Sequence, residues 1–179
     1  KLEYKKKENL VFSFDNGVII NGLINLYKVT KKKKYLISAK KSANFIISRL
    51  FTKNFKLRPA YDLRKKKFIQ DHNQWSLVPG AYHSKVSMGL INLYSVTKIE
   101  KYLKFGKKIL NIYLNTQKKN GEFESTKYSI NFHPYCYSLE GYWACGKYLK
   151  NKKYIDSSLL GTKWLMENIN FKGLPPRIK

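Results

Sequence analysis

The sequence contains Gly22-Leu23-Ile24-Asn25-Leu26-Tyr27-Lys28-Val29-Thr30-Lys31 and, 67 residues further on, Gly89-Leu90-Ile91-Asn92-Leu93-Tyr94-Ser95-Val96-Thr97-Lys98, which differs from it at one position. A self-match of this length indicates an internal repeat of one supersecondary unit. The spacing is too long for a short solenoid unit. It fits a large helical hairpin with its connecting loop, so we expect a chain built from helical hairpins.

A third, more divergent unit appears when Gly141 is aligned with Gly22 and Gly89. In each unit a tyrosine follows the glycine by thirteen residues and a small residue follows it by seventeen: Tyr35, Tyr102 and Tyr154, and Ala39, Gly106 and Ser158. Apolar residues spaced by three and four predict helices on both sides of each turn. We predict an all-α fold in one domain, 1–179, with three hairpins at about 15–51, 79–117 and 135–169. We expect its glycines, Gly17 and Gly22 included, to allow close helix approach.

The ends of the helices carry local signals as well. Ser13 or Asp15 offers a side-chain oxygen for the first-turn amides and predicts an N-cap. The connection from Thr52 to Val78 is long, and long connections without structure of their own are often functional. Gly173-Leu174-Pro175-Pro176 predicts a helix-ending linker.

The formal net charge of +25 is unusual, but nearly all of it comes from lysine. The only arginines are Arg49, Arg58, Arg64 and Arg177. Arginine is the residue suited to bidentate recognition of phosphate and base edges, whereas lysine is a hydrated point charge. We therefore expect solvated helix faces and no specific nucleic-acid partner. The alternative is a polyanion partner, such as an acidic glycan, nucleic acid or anionic lipid.

Cys136 and Cys145 fall on one predicted helix, about 13 Å apart on opposite faces, so they cannot form a disulfide. Free, buried cysteines are typical of a reducing compartment, and we expect a cytoplasmic location. No apolar run approaches the roughly 18 residues of a membrane span, and no signal peptide is visible. The chain begins without Met, and we expect it to be a piece of a longer protein.

Several motifs resemble those of a known group of folds. Phe14-Asp15-Asn16-Gly17, Gly22-Leu23, Leu26-Tyr27-x-Val29-Thr30 and Tyr35-Leu36 with Ala39 resemble the hairpin pattern of the α/α toroid superfamilies. These include the six-hairpin glycosidase-like proteins and the terpenoid-cyclase-like toroids. The segment from Gln117 to Phe123 resembles the glutamine–glycine–aromatic element that closes hairpins in the latter. The segment from His133 to Gly141 resembles a His-x-x-x-Tyr-x-x-Glu-Gly element of polysaccharide-associated toroids.

The resemblance covers about residues 12–170 and implies a partial (α/α) toroid. A complete toroid has five to seven hairpins, so the remaining ones are expected on a longer chain or on a partner subunit. The superfamily also implies a carbohydrate partner, and with it a glycosidase-, lyase- or epimerase-like cleft in surface-polysaccharide metabolism.

In a toroid the inner helices enter from one rim, so their N-terminal ends and the loops before them frame the cleft. This placement selects candidate catalytic residues, Glu140, His133, His83 and Asp15, and candidate substrate-binding residues, Trp75, Tyr82, Tyr135 and Tyr137. Carboxylates and histidines supply general acids and bases, and paired carboxylates are what glycosidic cleavage needs. A lyase or epimerase would instead use His or Tyr to move a proton.

Each candidate also has a structural explanation. Asp15 fits a helix N-cap, and His83 fits a hydrogen-bonded histidine of the core. Glu140 lies inside a predicted helix, where a buried glutamate is rare unless paired. The other two units carry Asn21 and Met88 at its position, so the repeat does not require it. His72, beside Asp71, could join His133 or be ordinary loop chemistry.

Other chemistries lack their motifs. The three histidines and two cysteines have no metal-ligand spacing, and no phosphate loop, dinucleotide fingerprint or Gly-x-Ser-x-Gly element is present. The Asp-rich motif of prenyl-diphosphate chemistry is also missing. We therefore expect no metal and no cofactor. The alternatives to a carbohydrate-active protein are a non-catalytic helical-repeat interaction module and a polyanion-binding protein.

Overall fold

The computed structural model describes residues 9–54, 56–71, 74–123 and 132–170. The predicted linker Gly173-Leu174-Pro175-Pro176 lies outside them. The helices in these ranges are α1 (Ser13–Thr30), α2 (Lys33–Phe45), α3 (Ser84–Thr97), α4 (Glu100–Leu114), α5 (Phe132–Leu149) and α6 (Lys152–Glu167). A π-helical turn, Ile46–Leu50, continues α2, and short 3₁₀ turns cover Trp75–Leu77 and Ala81–His83.

The six helices form three antiparallel hairpins arranged as an arc. Helix α3 packs against α1 on one side and against α5 on the other, so α1, α3 and α5 form an inner row. Each inner helix also packs against the helix that follows it, which places α2, α4 and α6 in an outer row. The predicted fold class, hairpins of a partial α/α toroid, is confirmed. The assignment of 1–179 to a single domain stays a prediction.

Glycines set the distance between the inner helices. A Cβ on Gly17 would lie 2.5 Å from the Val86 Cα, and one on Gly89 would overlap the Gly17 carbonyl oxygen. A Cβ on Gly141 would lie 2.5 Å from the Ser84 Cβ. The expectation of close approach is therefore confirmed for these three glycines. It is wrong for Gly22, which is exposed and has nothing within 4 Å of its Cβ position.

The turn inside each hairpin repeats a backbone conformation as well as a residue. Lys31, Lys98 and Lys150 each stand nine residues after the aligned glycine and adopt positive φ angles of 57°, 56° and 50°. In the first two turns the lysine N–H donates to the carbonyl of Tyr27 or Tyr94. The third turn therefore matches the other two in conformation, which supports the alignment of Gly141 with Gly22 and Gly89.

A repeated side-chain hydrogen bond joins neighbouring outer helices. The Tyr102 hydroxyl donates to the Asn44 side chain on α2 at 3.2 Å, and the Tyr154 hydroxyl donates to Asn111 on α4 at 2.6 Å. Both asparagines stand 22 residues after the aligned glycine of their units. Each bond therefore ties one hairpin to the hairpin before it.

The connection between the first two hairpins is not structureless. Its strands β2 (Ala60–Asp62) and β3 (Lys67–Ile69) form an antiparallel sheet with β1 (Leu10–Phe12), in the order β1-β2-β3. The sheet also changes the start of α1, because the Ser13 hydroxyl donates to the Pro59 carbonyl at 3.1 Å. Phe12 precedes the helix without a side-chain cap, and Asp15 lies in the first turn. The predicted N-cap at Ser13 or Asp15 was therefore wrong.

Both cysteines are free, and the two differ in exposure. Cys145 is buried as expected, but Cys136 is exposed, because Tyr135 and Leu139 take the buried face of α5. Burial raises the pKa of the Cys145 thiol, and partial desolvation by neighbouring atoms raises that of Cys136. Within the described ranges, no helix is both long enough and apolar enough to cross a membrane.

The glycine contacts predict opposite effects of the same substitution at two positions. Gly89→Ala should lower the free energy of unfolding by about 1–3 kcal/mol, because its Cβ meets backbone that cannot move aside. Gly22→Ala should raise it by about 0.5–1 kcal/mol, since alanine is the better helix former at an open position. Urea titrations of both variants measure the difference. Equal effects of the two substitutions would contradict this account.

Candidate functional site

The N-terminal ends of the inner helices meet at one rim and carry a group of aromatic side chains. We call Phe14, Trp75, Tyr82, His133 and Tyr137 the aromatic cluster. The ring of Phe14 on α1 lies 4.9 Å from Tyr137 on α5, 5.6 Å from Tyr82 and 5.9 Å from Trp75. Three hairpins and the connection at residue 75 therefore contribute to one surface, as the sequence predicted for Trp75, Tyr82, His133 and Tyr137.

The outer layer of the aromatic cluster is accessible. His133 is exposed, and Trp75 and Tyr137 are half-buried. The imidazole of His133 stacks on Trp75 at 5.9 Å and 28° between the ring planes. Its Nε2 lies 2.5 Å from the Tyr137 hydroxyl, one helical turn further along α5. The accessible part of the cluster therefore combines aromatic rings with a hydrogen-bonded His–Tyr pair.

Tyr82 forms the floor of the aromatic cluster. Its ring is 1% exposed and packs edge-on against Trp75 at 5.2 Å. Its hydroxyl donates to the Val78 carbonyl at 2.8 Å. Burial raises the pKa of Tyr82 far above its usual value, and Tyr113 and Asp15 add to the rise. Tyr82 was predicted to bind substrate, but its buried and paired hydroxyl instead supports the rings above it.

An ion pair stands beside Tyr137. The Lys85 ammonium lies 2.5 Å from the Glu140 carboxylate and 5.6 Å from the Tyr137 ring. Lys85 is almost fully buried on α3, whereas the Glu140 side chain is 56% exposed. Glu140 is thus paired but not buried, and its carboxylate faces the rim. Gly141 next to it allows α3 and α5 to approach closely enough for the pair to form.

Sequence reasoning missed Lys85 and Phe14 as site residues. Lys85 is the one charged residue in the stretch from Ser84 to Ile91, where every residue but Met88 is buried, and a lone charge among apolar and small residues was the available signal. Phe14 lies in the Phe-Asp-Asn-Gly motif, next to the candidate Asp15. The identity of their partners could not be read from the sequence, because those partners are on other helices.

Asp15 lies at the edge of the same rim, next to Phe14. Its proximity to Tyr82 contributes to the raised pKa of that tyrosine. Asp15 is an exposed residue, but neighbouring atoms partly desolvate its carboxyl and raise its pKa.

Two predicted site residues are not at the surface of the rim. His83 is fully buried, between the rings of Tyr82 at 4.1 Å and Tyr113 at 6.0 Å. Tyr135 is 1% exposed, and its hydroxyl donates to the carbonyls of Gly121 and Gly161. Both side chains serve the core, so the structure does not bring them to the accessible site. His72 lies outside the described residues.

Comparison with known proteins identifies the family of this chain. Residues 2–138 match the sequence profile of glycosyl hydrolase family 76. The chain belongs to glycosyl hydrolase family 76. A search of curated protein sequences returned no match.

Solved structures show the same fold at low identity. An α-mannanase of family 76 from Bacteroides thetaiotaomicron superposes with a TM-score of 0.75 at 16% identity, over 94% of this chain and 45% of that one. A D-mannose isomerase gives 0.73 at 18% identity, over 96% and 49%. Cellobiose 2-epimerase from Bacillus thermoamylovorans gives 0.72 at 15%, over 93% and 47%. The chain thus spans about half the length of these proteins.

The comparisons confirm the resemblance to six-hairpin glycosidase-like α/α toroids. The family match favours the prediction of a carbohydrate-active protein over that of a non-catalytic interaction module. The rim that carries the aromatic cluster is therefore the candidate functional site of a family 76 chain.

Burial of His83 predicts a pH-dependent stability. Desolvation lowers its pKa from 6.5 to about 3, a shift that the Gly80 backbone hydrogen bond partly opposes. Below pH 6.5 His83 takes up a proton in the unfolded chain but not in the folded chain. The free energy of unfolding therefore decreases as the pH is lowered. From pH 7 to pH 5 this group should remove about 2 kcal/mol from the free energy of unfolding.

The test compares urea titrations at both pH values for the wild type, His83→Gln and the control His133→Gln. The loss between pH 7 and pH 5 should shrink in His83→Gln only. A loss in His83→Gln as large as in the wild type would contradict a buried, neutral His83.

Proposed function

We propose that the chain forms part of the substrate cleft of a glycoside hydrolase that acts on a mannose-containing polysaccharide. The observation that supports this most is the aromatic cluster at the N-terminal ends of the inner helices. The membership in family 76 and the likeness to an α-mannanase support the choice of reaction and sugar. Further hairpins, on a longer chain or a partner subunit, would complete the cleft.

The aromatic cluster suits the binding of a sugar ring. A pyranose presents an apolar face of C–H groups and an equatorial rim of hydroxyls. Trp75 and Tyr137 offer aromatic faces for the first, since rings of this kind combine apolar area with a polar handle. The His133–Tyr137 pair and the Glu140 carboxylate offer hydrogen-bond partners for the second.

Glu140 and Asp15 are the carboxylates that we assign to the reaction. Glycosidic cleavage uses one carboxylic acid to protonate the leaving oxygen and one carboxylate as base or nucleophile. We assign Asp15 to the acid, because it lies at the same rim and partial desolvation raises its pKa. Glu140 fits the base or nucleophile, and the Lys85 ammonium holds its carboxylate in place.

A sugar isomerase or epimerase is the second candidate. The short contact between His133 Nε2 and the Tyr137 hydroxyl favours it, because a His–Tyr pair can move a proton at a sugar carbon. The likeness to a D-mannose isomerase and a cellobiose 2-epimerase points the same way. For either candidate we also propose a role in surface-polysaccharide metabolism and a cytoplasmic location.

Sugar binding at the aromatic cluster is tested by removing one ring. Tyr137→Ala should weaken binding of an α-mannan oligosaccharide about tenfold, the loss expected for one stacked ring. Tyr148→Ala is the matched control, because Tyr148 is an exposed tyrosine near the other end of α5. Isothermal titration calorimetry on each variant gives the affinities. Similar losses in both variants would count against the cluster as the sugar site.

The reaction is tested with the longest product of the reading frame that contains this chain. Glu140→Gln should lower kcat on α-mannan oligosaccharides about 100-fold or more, with a much smaller change in KM, as expected for a lost acid–base group. Glu167→Gln, an exposed glutamate at the end of α6, is the control. New reducing ends would identify hydrolysis, and an isomerised monosaccharide would identify the second candidate. Full activity of Glu140→Gln would remove Glu140 from either mechanism.

A further inference from the structure

A cavity lies between the end of outer helix α4 and the segment that follows α2. Its volume is about 450 Å³, within the range of ligand pockets. One wall comes from Ile112 and Tyr113 near the end of outer helix α4. The opposite wall comes from the segment after α2, with Thr52, Lys56 and Arg58.

This cavity is separated from the aromatic cluster by buried side chains. Tyr113 lines the cavity and stacks on His83, which in turn packs on Tyr82, the floor of the cluster. None of the five cluster residues lines the cavity. A ligand bound here would therefore occupy a site of its own.

The cavity is cationic. Lys56 and Arg58 both line it, and no carboxylate from the described residues does. The Arg58 guanidinium stands 5.0 Å above the Phe68 ring, which fixes its plane. Its Nε is buried and has no hydrogen-bond partner among the described residues. A buried donor without an acceptor is costly, and contacts among the described residues do not account for this one.

The loop that carries these cations is held in place by its own hydrogen bonds. The Thr52 N–H donates to the Lys56 carbonyl at 2.9 Å, and the Lys56 N–H donates to the Thr52 hydroxyl at 3.0 Å. The Arg58 N–H donates to the Leu50 carbonyl at 2.8 Å, at the end of the π-helical turn. These bonds fix the backbone at Thr52, Lys56 and Arg58 without a ligand, which lowers the entropic cost of binding.

The remaining surface of the cavity mixes apolar and polar groups. Ile112 and the Tyr113 ring are apolar, whereas Thr52 and Gln70 bring a hydroxyl and an amide. An inorganic anion would bind through the cations and hydrogen-bond donors alone. A sugar ring would also contact the apolar wall. We propose that this cavity binds one anionic sugar unit, a ring that carries a carboxylate or a phosphate, with the anion on Arg58 and Lys56. The choice of a sugar rests on the proposed function, whereas the choice of an anion rests on the cavity.

Calorimetry with four probes tests the proposal: D-glucuronate, D-glucose 6-phosphate, D-glucose and inorganic phosphate. At least one anionic sugar should bind ten times more tightly than both D-glucose and inorganic phosphate, and the better one identifies the anion. Equal binding of D-glucose would overturn the role of the cations, and equal binding of inorganic phosphate would overturn the role of the ring. Failure of both anionic sugars to bind would overturn the proposal.

Variants locate the binding. Arg58→Gln should weaken the anionic sugar at least tenfold, whereas Arg64→Gln, which removes the same charge from the exposed turn between β2 and β3, should change it less than twofold. Arg58→Lys, which keeps the charge but lacks the fork of donors, should fall between them. Equal losses in Arg58→Gln and Arg64→Gln would indicate general attraction to a basic surface and overturn the site. Thermal unfolding of each variant confirms that it is folded, and Lys56→Gln replaces Arg58→Gln if the latter is not.

Sugar binding at the aromatic cluster and anionic-sugar binding in the cavity are tested independently of each other. Tyr137→Ala should leave binding of the anionic sugar unchanged, and Arg58→Gln should leave binding of the neutral α-mannan oligosaccharide unchanged. Loss of the anionic sugar in Tyr137→Ala would assign it to the cleft and overturn the second site. If the wild type binds the anionic sugar but not the neutral oligosaccharide, the proposed function is contradicted and the cavity proposal is not.

Discussion

The close approach of α3 to both α1 and α5 is the constraint on which the rest of the structure depends. It is possible because Gly17, Gly89 and Gly141 have no side chain where the helices meet. At Gly89 and Gly17 backbone touches backbone, so no rotamer change can make room for a methyl group. The inner row is therefore held at a fixed spacing, and the N-terminal ends of its helices meet at one rim.

That spacing brings the candidate site together. Lys85 of α3 reaches Glu140 of α5 across the contact that Gly141 permits, and Phe14 of α1 reaches Tyr137 of α5 across the end of α3. Each helix alone carries an isolated charge or ring. The packing turns these into an ion pair beside an accessible aromatic surface. The same helices thus carry the packing glycines and the candidate site residues, which are only one position apart at Glu140 and Gly141.

The basic residues of the chain fall into two groups that differ in solvent exposure. Nearly all lysines among the described residues are exposed, in helices and turns, as expected for solvated surface residues. Lys85 differs because it is buried and paired, and Arg58 differs because its Nε is buried with no hydrogen-bond partner among the described residues. Partial desolvation of a cation is energetically unfavourable, unlike the hydration of a surface lysine, and a nearby acceptor is needed to offset it. For this reason the informative cations are these two and not the net charge of +25.

The sequence by itself determined the three hairpins, because the period of apolar residues and the repeat of whole units are local and regular. The expectation that Trp75, Tyr82, His133 and Tyr137 meet at one rim came from the resemblance to an α/α toroid. The sequence also pointed to Glu140, through its difference from the other units. Only the tertiary structure decided that Gly22 is open while Gly17 packs, that His83 and Tyr135 are buried, that Cys136 is exposed, and that the connection after α2 forms a sheet. These outcomes depend on which face each helix turns to its neighbour and on which distant strand pairs with which. Neighbours of that kind are far apart in sequence, so no local pattern specifies them.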